Sequence, residues 1–227
     1  AEPVQGAGGV IVPQDDYFPR IREICDKYEV LLIADEVITG FGRTGRWFAL
    51  EHYGIEPDIV QFAKGITSGY VPLGGIGVSD RIKEAIDSVS VDRRWMHAYT
   101  YSGHPTCCAV ALANIGIIER EGLVQRAEVL GARLLSGLQS LLEIECVGDV
   151  RGKGLMAAVE LVADQATKEP FPAEAGVGQK VFNELVKRGV YTRFLGDQIL
   201  FAPPLVTTEE QIDRIVQALR ESIEAAV

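Results

Sequence analysis

The first half of the chain alternates apolar runs with an amphipathic stretch, in an order that predicts strand, helix and strand. A short apolar run near Val10 and two longer ones at 30–34 and 59–63 predict strands. The longer runs are almost continuously apolar, which is typical of parallel strands that are covered on both faces. Residues 17–29 carry apolar side chains at helical spacing, and the expected face comprises Tyr17, Ile21, Ile24, Cys25 and Tyr28. We therefore predict a β-α-β unit whose ligands bind at the carboxyl ends of its strands.

Two long apolar helices are predicted in the middle of the chain. Residues 105–118 form one apolar run, and residues 123–142 carry leucines at near-helical spacing. A leucine stripe of this kind normally packs in a hydrophobic core. We therefore assign both helices to packing.

A smaller α+β arrangement is expected from about residue 144 onward. It comprises a strand at 154–162, a helix at about 176–188, and hairpin strands at 190–193 and 198–202. The last helix is expected to begin with a capping box formed by Thr207 and Glu210. The change of pattern along the chain predicts two kinds of domain in an α/β protein.

Composition narrows the possible functions. The chain has 227 residues, 47% of them hydrophobic, and a formal net charge of −10, which argues against a nucleic-acid surface. We expect neither a signal peptide nor a membrane-spanning segment. The four cysteines lack metal-ligand spacing and are interpreted as buried reduced thiols, so we expect no metal and a cytoplasmic protein.

An acid and an amine follow two of the predicted strands. Asp35 ends the first strand, and Lys64 follows the second, 29 residues later. This pair suits pyridoxal phosphate, because a lysine can form a Schiff base with its aldehyde while an acid keeps the pyridine nitrogen protonated. We expect partial desolvation to make Lys64 a better nucleophile, and Gly65 to leave room for the ligand. As an alternative, both charges are ordinary surface groups.

The residues around this pair resemble the class III (ω-amino acid type) aminotransferases. Seven motifs match in order: 2–9, 35–45, 54–65, 71–75, 99–105, 150–155 and 196–205. The resemblance implies an α/β fold of the type I pyridoxal-phosphate transferases, with a mostly parallel sheet. Residues 1–105 would belong to the large cofactor-binding domain, 106–143 to connecting helices, and 144–227 to a small C-terminal α+β domain. We expect the chain to be the C-terminal half of such an enzyme.

The resemblance also assigns cofactor contacts to Val37 and Thr100. Val37 would lie against one face of the pyridine ring, although it could simply be a core residue. Thr100 would reach across a homodimer interface to the phosphate of the partner's cofactor, so that each active site would be shared between two protomers. Its alternative role is a turn hydroxyl that bonds its own backbone.

Two further residues are candidates for substrate binding. Arg193 occupies the position of a mobile arginine in ω-transaminases, and its guanidinium could bind a substrate carboxylate. Alternatively it pairs with Asp197 or Glu209. Glu2 matches a glutamate that some relatives use in the substrate pocket, whereas others keep it only for structure.

The implied reaction moves an amino group from an ω-amino acid or primary amine to a keto acid such as pyruvate. Lys64 would hold the cofactor and then carry the Cα proton. A decarboxylase, aminomutase or racemase of the same fold would retain Asp35 and Lys64. An inactive fragment or a dimerising scaffold is the alternative from another class. A nicotinamide-binding domain is disfavoured, because no Gly-x-Gly-x-x-Gly motif opens a helix.

Overall fold

A computed structural model of the protein describes all 227 residues and divides the chain into two units. Unit 1 comprises residues 1–3, 13–42 and 46–122, and unit 2 comprises 4–12, 43–45 and 123–227. The boundary between the main segments falls between Gly122 and Leu123. The three-part division predicted from the sequence stays a prediction.

Unit 1 contains a three-stranded sheet and three helices. Its elements are α1 (Tyr17–Tyr28), β1 (Ile33–Asp35), β2 (Ile59–Phe62), β3 (Gly75–Val78), α2 (Asp80–Ser88) and α3 (Pro105–Arg120). The strands lie in the order β1-β2-β3, with β1 and β2 parallel and β3 antiparallel to β2. The predicted parallel pair therefore forms, but the predicted β-α-β unit does not, because α1 precedes both strands and only a loop with a short 3-10 helix joins β1 to β2. Helix α3 begins at Pro105, whose fixed φ suits the first turn of a helix.

A partly buried ion pair ties α1 to the sheet. Arg22 donates to Asp58 Oδ2 at 3.0 Å, and the same oxygen accepts from Leu32 N at 2.8 Å. Because Asp58 precedes β2 and Leu32 precedes β1, these bonds fix where the two parallel strands begin. Because the starts of both strands are fixed, their carboxyl ends are also in a defined register, in which Asp35 is paired with Gln61.

Two expectations for the first 30 residues differ from the structure. No strand forms around Val10, because this residue has a φ of +55° and only a single bridge joins Gln5 to Ile11. The buried face of α1 is only partly the expected one: Cys25 is buried as expected, but Phe18 is buried too, and Tyr17, Ile24 and Tyr28 are exposed. Phe18 packs with Ala34 and Leu50, so this contact sets the orientation of the helix.

Unit 2 forms an α+β arrangement, as the sequence predicts, but it contains one further strand, before residue 154, that the sequence did not predict. Its elements are α4 (Leu123–Gln139), β4 (Val147–Lys153), β5 (Met156–Leu161), α5 (Val177–Lys187), β6 (Arg193–Leu195), β7 (Gln198–Phe201) and α6 (Glu209–Ala226). The sheet is antiparallel throughout, in the order β4-β5-β7-β6. The predicted hairpin is confirmed, although its first strand begins at Arg193 rather than at residue 190.

The leucine stripe of α4 packs in the core of unit 2, as predicted. Leu134 and Leu138 of α4 have no exposed surface, and neither does Leu141 in the 3-10 turn that follows the helix. These leucines share one cluster with Ile212 and Leu219 of α6. The capping box of α6 lies one residue later than expected, because Thr208 accepts from Gln211 N and is the N-cap. None of the helices combines the length and the apolar character needed to cross a membrane.

Candidate active site

Asp35 and Lys64 emerge at the same edge of the sheet of unit 1. Asp35 is the last residue of β1 and is paired with Gln61, and Lys64 follows the end of the parallel strand β2. Carboxyl ends of neighbouring parallel strands meet at one edge of a sheet, where open α/β sheets bind their ligands. The structure therefore places the two residues as the sequence argument requires, while their roles stay a prediction.

A turn of the backbone orients the Asp35 carboxylate. Asp35 Oδ1 accepts a hydrogen bond of 3.1 Å from Val37 N, which is the geometry of an Asx turn. Asp35 N donates to Ala1 O at 2.8 Å. The side chain is half-buried, and Val37 is half-buried beside it. The carboxylate thus has a defined direction at the end of its strand.

The neighbouring Glu36 is a buried carboxylate that the sequence analysis did not single out. It is 1% exposed and accepts from the Thr39 hydroxyl. It also accepts from Ala49 N and Leu50 N, both at 2.9 Å. Burial raises the pKa of Glu36 above its usual value, although these hydrogen bonds act in the opposite direction. The sequence shows only that an acidic residue, Glu36, follows the end of β1, and this does not reveal that its side chain is buried.

Glu36 braces the loop that carries Asp35. Its own N donates to Gln61 O at 3.0 Å, and its carbonyl accepts from Gly40 N at 2.9 Å. The side chain and backbone of one residue therefore join β2, the loop after β1 and the short 3-10 helix Ala49–Tyr53. This arrangement limits movement of the adjacent Asp35.

Lys64 lies in a strained backbone conformation. It begins the 3-10 turn Lys64–Ile66 with a φ of +42°, a conformation that costs a residue other than glycine roughly 1–3 kcal/mol. Its side chain is exposed, so the partial desolvation expected from the apolar strand is not found. The reason is geometric, because the strand side chains face the two sides of the sheet while Lys64 follows beyond its end.

Gly65 has a different role from the one expected. A Cβ at this position would lie 3.2 Å from Phe41 Cβ and 3.3 Å from Gly40 O. The space beside Gly65 is therefore filled by the loop that follows Asp35, and it does not serve as room for a ligand. The absence of a side chain allows the Lys64 turn and the Asp35 loop to pack together closely.

Thr100 and Glu2 are both found in unit 1. Thr100 is exposed in the turn before α3. In that turn Tyr99 N donates to Ser102 Oγ at 2.9 Å, so Ser102 supplies the turn hydroxyl. Glu2 is half-buried, one residue after Ala1, whose amino group donates to Ile33 O at 2.8 Å. The proposed roles of both residues stay predictions.

Arg193 opens β6 in unit 2 and has an exposed side chain. Neither of the alternative ion pairs forms. Asp197 Oδ1 accepts from Gly178 N at 2.9 Å, and Glu209 pairs with Arg133 at 2.8 Å. The guanidinium of Arg193 is thus in a position to bind an anion, which leaves its substrate role open to test.

Comparisons with known proteins agree on one family. The profile for Aminotransferase class-III matches residues 1–223. The putrescine–pyruvate aminotransferase of Pseudomonas aeruginosa is 45% identical over 99% of this chain and 48% of its own length. The adenosylmethionine-8-amino-7-oxononanoate aminotransferase of Geobacter sulfurreducens is 44% identical over 97% of this chain and 49% of its own. This chain spans about half the length of these relatives.

Solved structures give the same result for the fold. An (S)-enantioselective omega-transaminase from Thermomicrobium roseum matches with a TM-score of 0.95 and 52% identity, over 100% of this chain and 50% of its own. A PLP-bound amine transaminase from an uncultivated Pseudomonas species matches with a TM-score of 0.96 and 48% identity, over 100% of this chain and 52% of its own. The α/β fold predicted from the sequence is confirmed.

Proposed function

Since the chain belongs to the class-III aminotransferase family, we propose that the protein carrying it transfers an amino group from a primary amine or ω-amino acid to a keto acid such as pyruvate. The family, the enzyme class and pyridoxal 5'-phosphate as its cofactor agree with the sequence analysis. The observation that carries the proposal is the placement of Asp35 and Lys64 at one edge of the parallel pair β1 and β2.

The residues present fit the needs of the cofactor. A pyridine nitrogen needs a fixed negative charge to stay protonated, and Asp35 is held in direction by Val37 N. An aldehyde needs an accessible amine, and Lys64 presents one on a turn of fixed backbone. Asp35, Val37 and Lys64 of this chain would hold the group, with Thr100 of a second protomer at its phosphate.

The cofactor and the residues of this chain have different parts in the reaction. Pyridoxal phosphate, when bound, accepts the electron pair released when the Cα–H bond of the amine breaks. Lys64 Nζ takes that proton as a general base and later returns it as an acid. The Asp35 carboxylate would lie at the ring nitrogen and stabilise its positive charge.

We propose that Arg193 binds the carboxylate of the keto acid. A guanidinium presents a planar fork that matches a carboxylate in two hydrogen bonds. The exposed position of Arg193 at the first residue of a short strand supports this role. An uncharged amine needs no such partner, so the arginine would distinguish the two substrates. A homodimer and a cytoplasmic location complete the proposal and stay predictions.

Product analysis tests the proposed function. The purified protein is incubated with pyridoxal phosphate, pyruvate and a diamine such as putrescine, and alanine is measured. A parallel sample contains ornithine, an amino acid that can lose its carboxyl group, and released carbon dioxide is measured as well. We expect alanine to form in the parent protein and to be absent with Lys64→Ala. Carbon dioxide without alanine would instead indicate a decarboxylase. The absence of both products under conditions where a relative is active would refute catalysis by this chain.

A further inference from the structure

A side chain from α3 holds the turn that carries Lys64. Asn114 Nδ2 donates to Gly65 O at 2.9 Å and to Ile66 O at 3.0 Å. These are the two carbonyls that directly follow Lys64 in the chain. Because an amide has two N–H groups in one plane, one asparagine can satisfy both carbonyls and fix their separation.

The turn needs such support. Lys64 has a φ of +42°, in the left-handed region that residues other than glycine rarely adopt. The bonds inside the turn are longer: Ile66 N to Ala63 O is 3.2 Å, and Thr67 N to Lys64 O is 3.3 Å. Strained conformations persist only where surrounding groups determine them.

Asn114 is an unexpected residue for its place in α3. The helix runs from Pro105 to Arg120 and is rich in alanine and isoleucine, whereas asparagine is a poor helix former. Its half-buried side chain points to a specific partner rather than to solvent. The partner is the turn of the candidate reacting lysine, 48 and 49 residues earlier in the chain.

We propose that Asn114 is a positioning residue for Lys64. It holds the Gly65 and Ile66 carbonyls so that Lys64 keeps its left-handed backbone and directs its amine from the sheet edge beside Asp35. The inference rests on the proposed function, in which Lys64 is the reacting amine. Asn114 would act through the backbone, since its side-chain partners are these two carbonyls.

The test compares how fast one lysine captures the cofactor with how fast another does. The purified protein is exposed briefly to pyridoxal phosphate and reduced with borohydride, and the labelled peptides are quantified. Lys180 is the reference, since it is exposed on α5 in unit 2. The ratio of label at Lys64 to label at Lys180 reports positioning, because a general loss of stability would change the labelling of both lysines.

The ratio is measured in three variants and compared with that of the parent protein. Asn114→Ala removes both donors, and Asn114→Asp keeps the shape but turns an oxygen toward the two carbonyls. We expect the ratio to fall about tenfold to a hundredfold in both, as misplacement of a reacting group by about 1 Å predicts. Asn183→Ala is the matched control, because Asn183 is exposed on α5 and only accepts from Gln179; its ratio should equal the parent's.

The outcomes separate the inference from the proposed function. A parent protein that labels Lys64 no faster than Lys180 would contradict the proposed function itself. Fast labelling of Lys64 in the parent and in both Asn114 variants would overturn only the positioning role. If Asn114→Ala does not fold, Asn114→Ser is used instead, because it retains one hydrogen-bond donor. Its labelling ratio should lie between that of the parent and that of Asn114→Asp. A ratio equal to the parent's would also overturn the positioning role of Asn114. In turnover, kcat should fall while the KM for the amine is unchanged.

Discussion

The two units differ in how they bury their apolar side chains. Unit 2 encloses a cluster of 19 buried residues between its sheet and helices α4, α5 and α6. The buried cluster around α1 in unit 1 consists of Phe18, Ala34 and Leu50. Several large apolar side chains of unit 1 are exposed, among them Tyr28, Ile33, Trp95, Met96 and Tyr101.

This difference indicates that unit 2 contributes most of the hydrophobic stability, whereas unit 1 carries the candidate catalytic residues. Unit 2 has the continuous core on which hydrophobic stabilisation depends, whereas unit 1 has Asp35, Lys64 and the polar network that braces them. Contiguous exposed apolar surface often marks an interaction site. Substitutions in the buried core of unit 2 should therefore act mainly on folding, and substitutions at the sheet edge of unit 1 should act mainly on catalysis.

The largest expected effect is on the free energy of unfolding, and it compares one leucine from each unit. Leu138 of α4 has no exposed surface, whereas Leu112 of α3 is 71% exposed. Leu138→Ala should lower the free energy of unfolding by about 2–5 kcal/mol, because it removes buried contacts and leaves a cavity. Leu112→Ala should change it by less than about 0.5 kcal/mol. Urea unfolding of both variants checks this, and equal losses would contradict the contrast.

The next effect should appear in catalysis with the fold intact. Asp35→Asn keeps an oxygen that can accept from Val37 N, so the turn should survive. It removes the charge that favours a protonated ring nitrogen by about 1–3 pKa units, so the rate should fall roughly tenfold to a thousandfold. Steady-state rates and circular dichroism are measured together. The exposed control Asp92→Asn should match the parent; an Asp35→Asn variant of full activity would remove the proposed charge role.

A smaller and more selective loss is expected for Arg193→Ala in unit 2. The kcat/KM for the keto acid should fall about tenfold to 150-fold, because a hydrogen bond to a charged group contributes about 1.5–3 kcal/mol. The kcat/KM for a simple amine should hardly change. Arg214→Ala is the control, since Arg214 is also exposed in unit 2. Equal losses for both substrates would exclude the specificity role.

The smallest effect concerns the buried carboxylate of unit 1. The pKa of Glu36 is raised above 4.5 by burial, so the folded state holds this proton more tightly than the unfolded state. Its contribution to stability is therefore fully present below the unfolded pKa and is lost as the pH rises through the folded pKa. The parent's free energy of unfolding, relative to that of Glu36→Gln, should fall between pH 4.5 and pH 7.5. Urea titrations at both pH values measure it, and a rise would contradict the direction.

The sequence pattern predicts those elements whose structure depends on residues that are close together in the chain. The helix starting at Pro105, the leucine stripe of α4 and the parallel strands ending near Asp35 and Lys64 were all predicted. Strand β3 was missed, because two of its four residues are glycine, which weakens the strand pattern. The cap of α6 was displaced by one residue because two threonines stand side by side.

The supports of the site could not be predicted in this way. Glu36 bonds to backbone 13 and 14 residues away, and Asn114 bonds to carbonyls 48 and 49 residues away. Such partners depend on how α3 and the loops pack, which periodicity does not specify. The exposure of Lys64 follows from the same packing. Asp35 and Lys64 themselves were found because strand ends and residue chemistry are both visible in the sequence.

The most direct test of the account is the identity of the lysine that holds the cofactor. The purified protein is equilibrated with pyridoxal phosphate, reduced with borohydride and digested, and every labelled peptide is identified by mass spectrometry. The account predicts one dominant label on Lys64, which disappears in Lys64→Ala. A label spread evenly over the exposed lysines, or concentrated on another lysine, would contradict the claim that the sheet edge of unit 1 is the catalytic site.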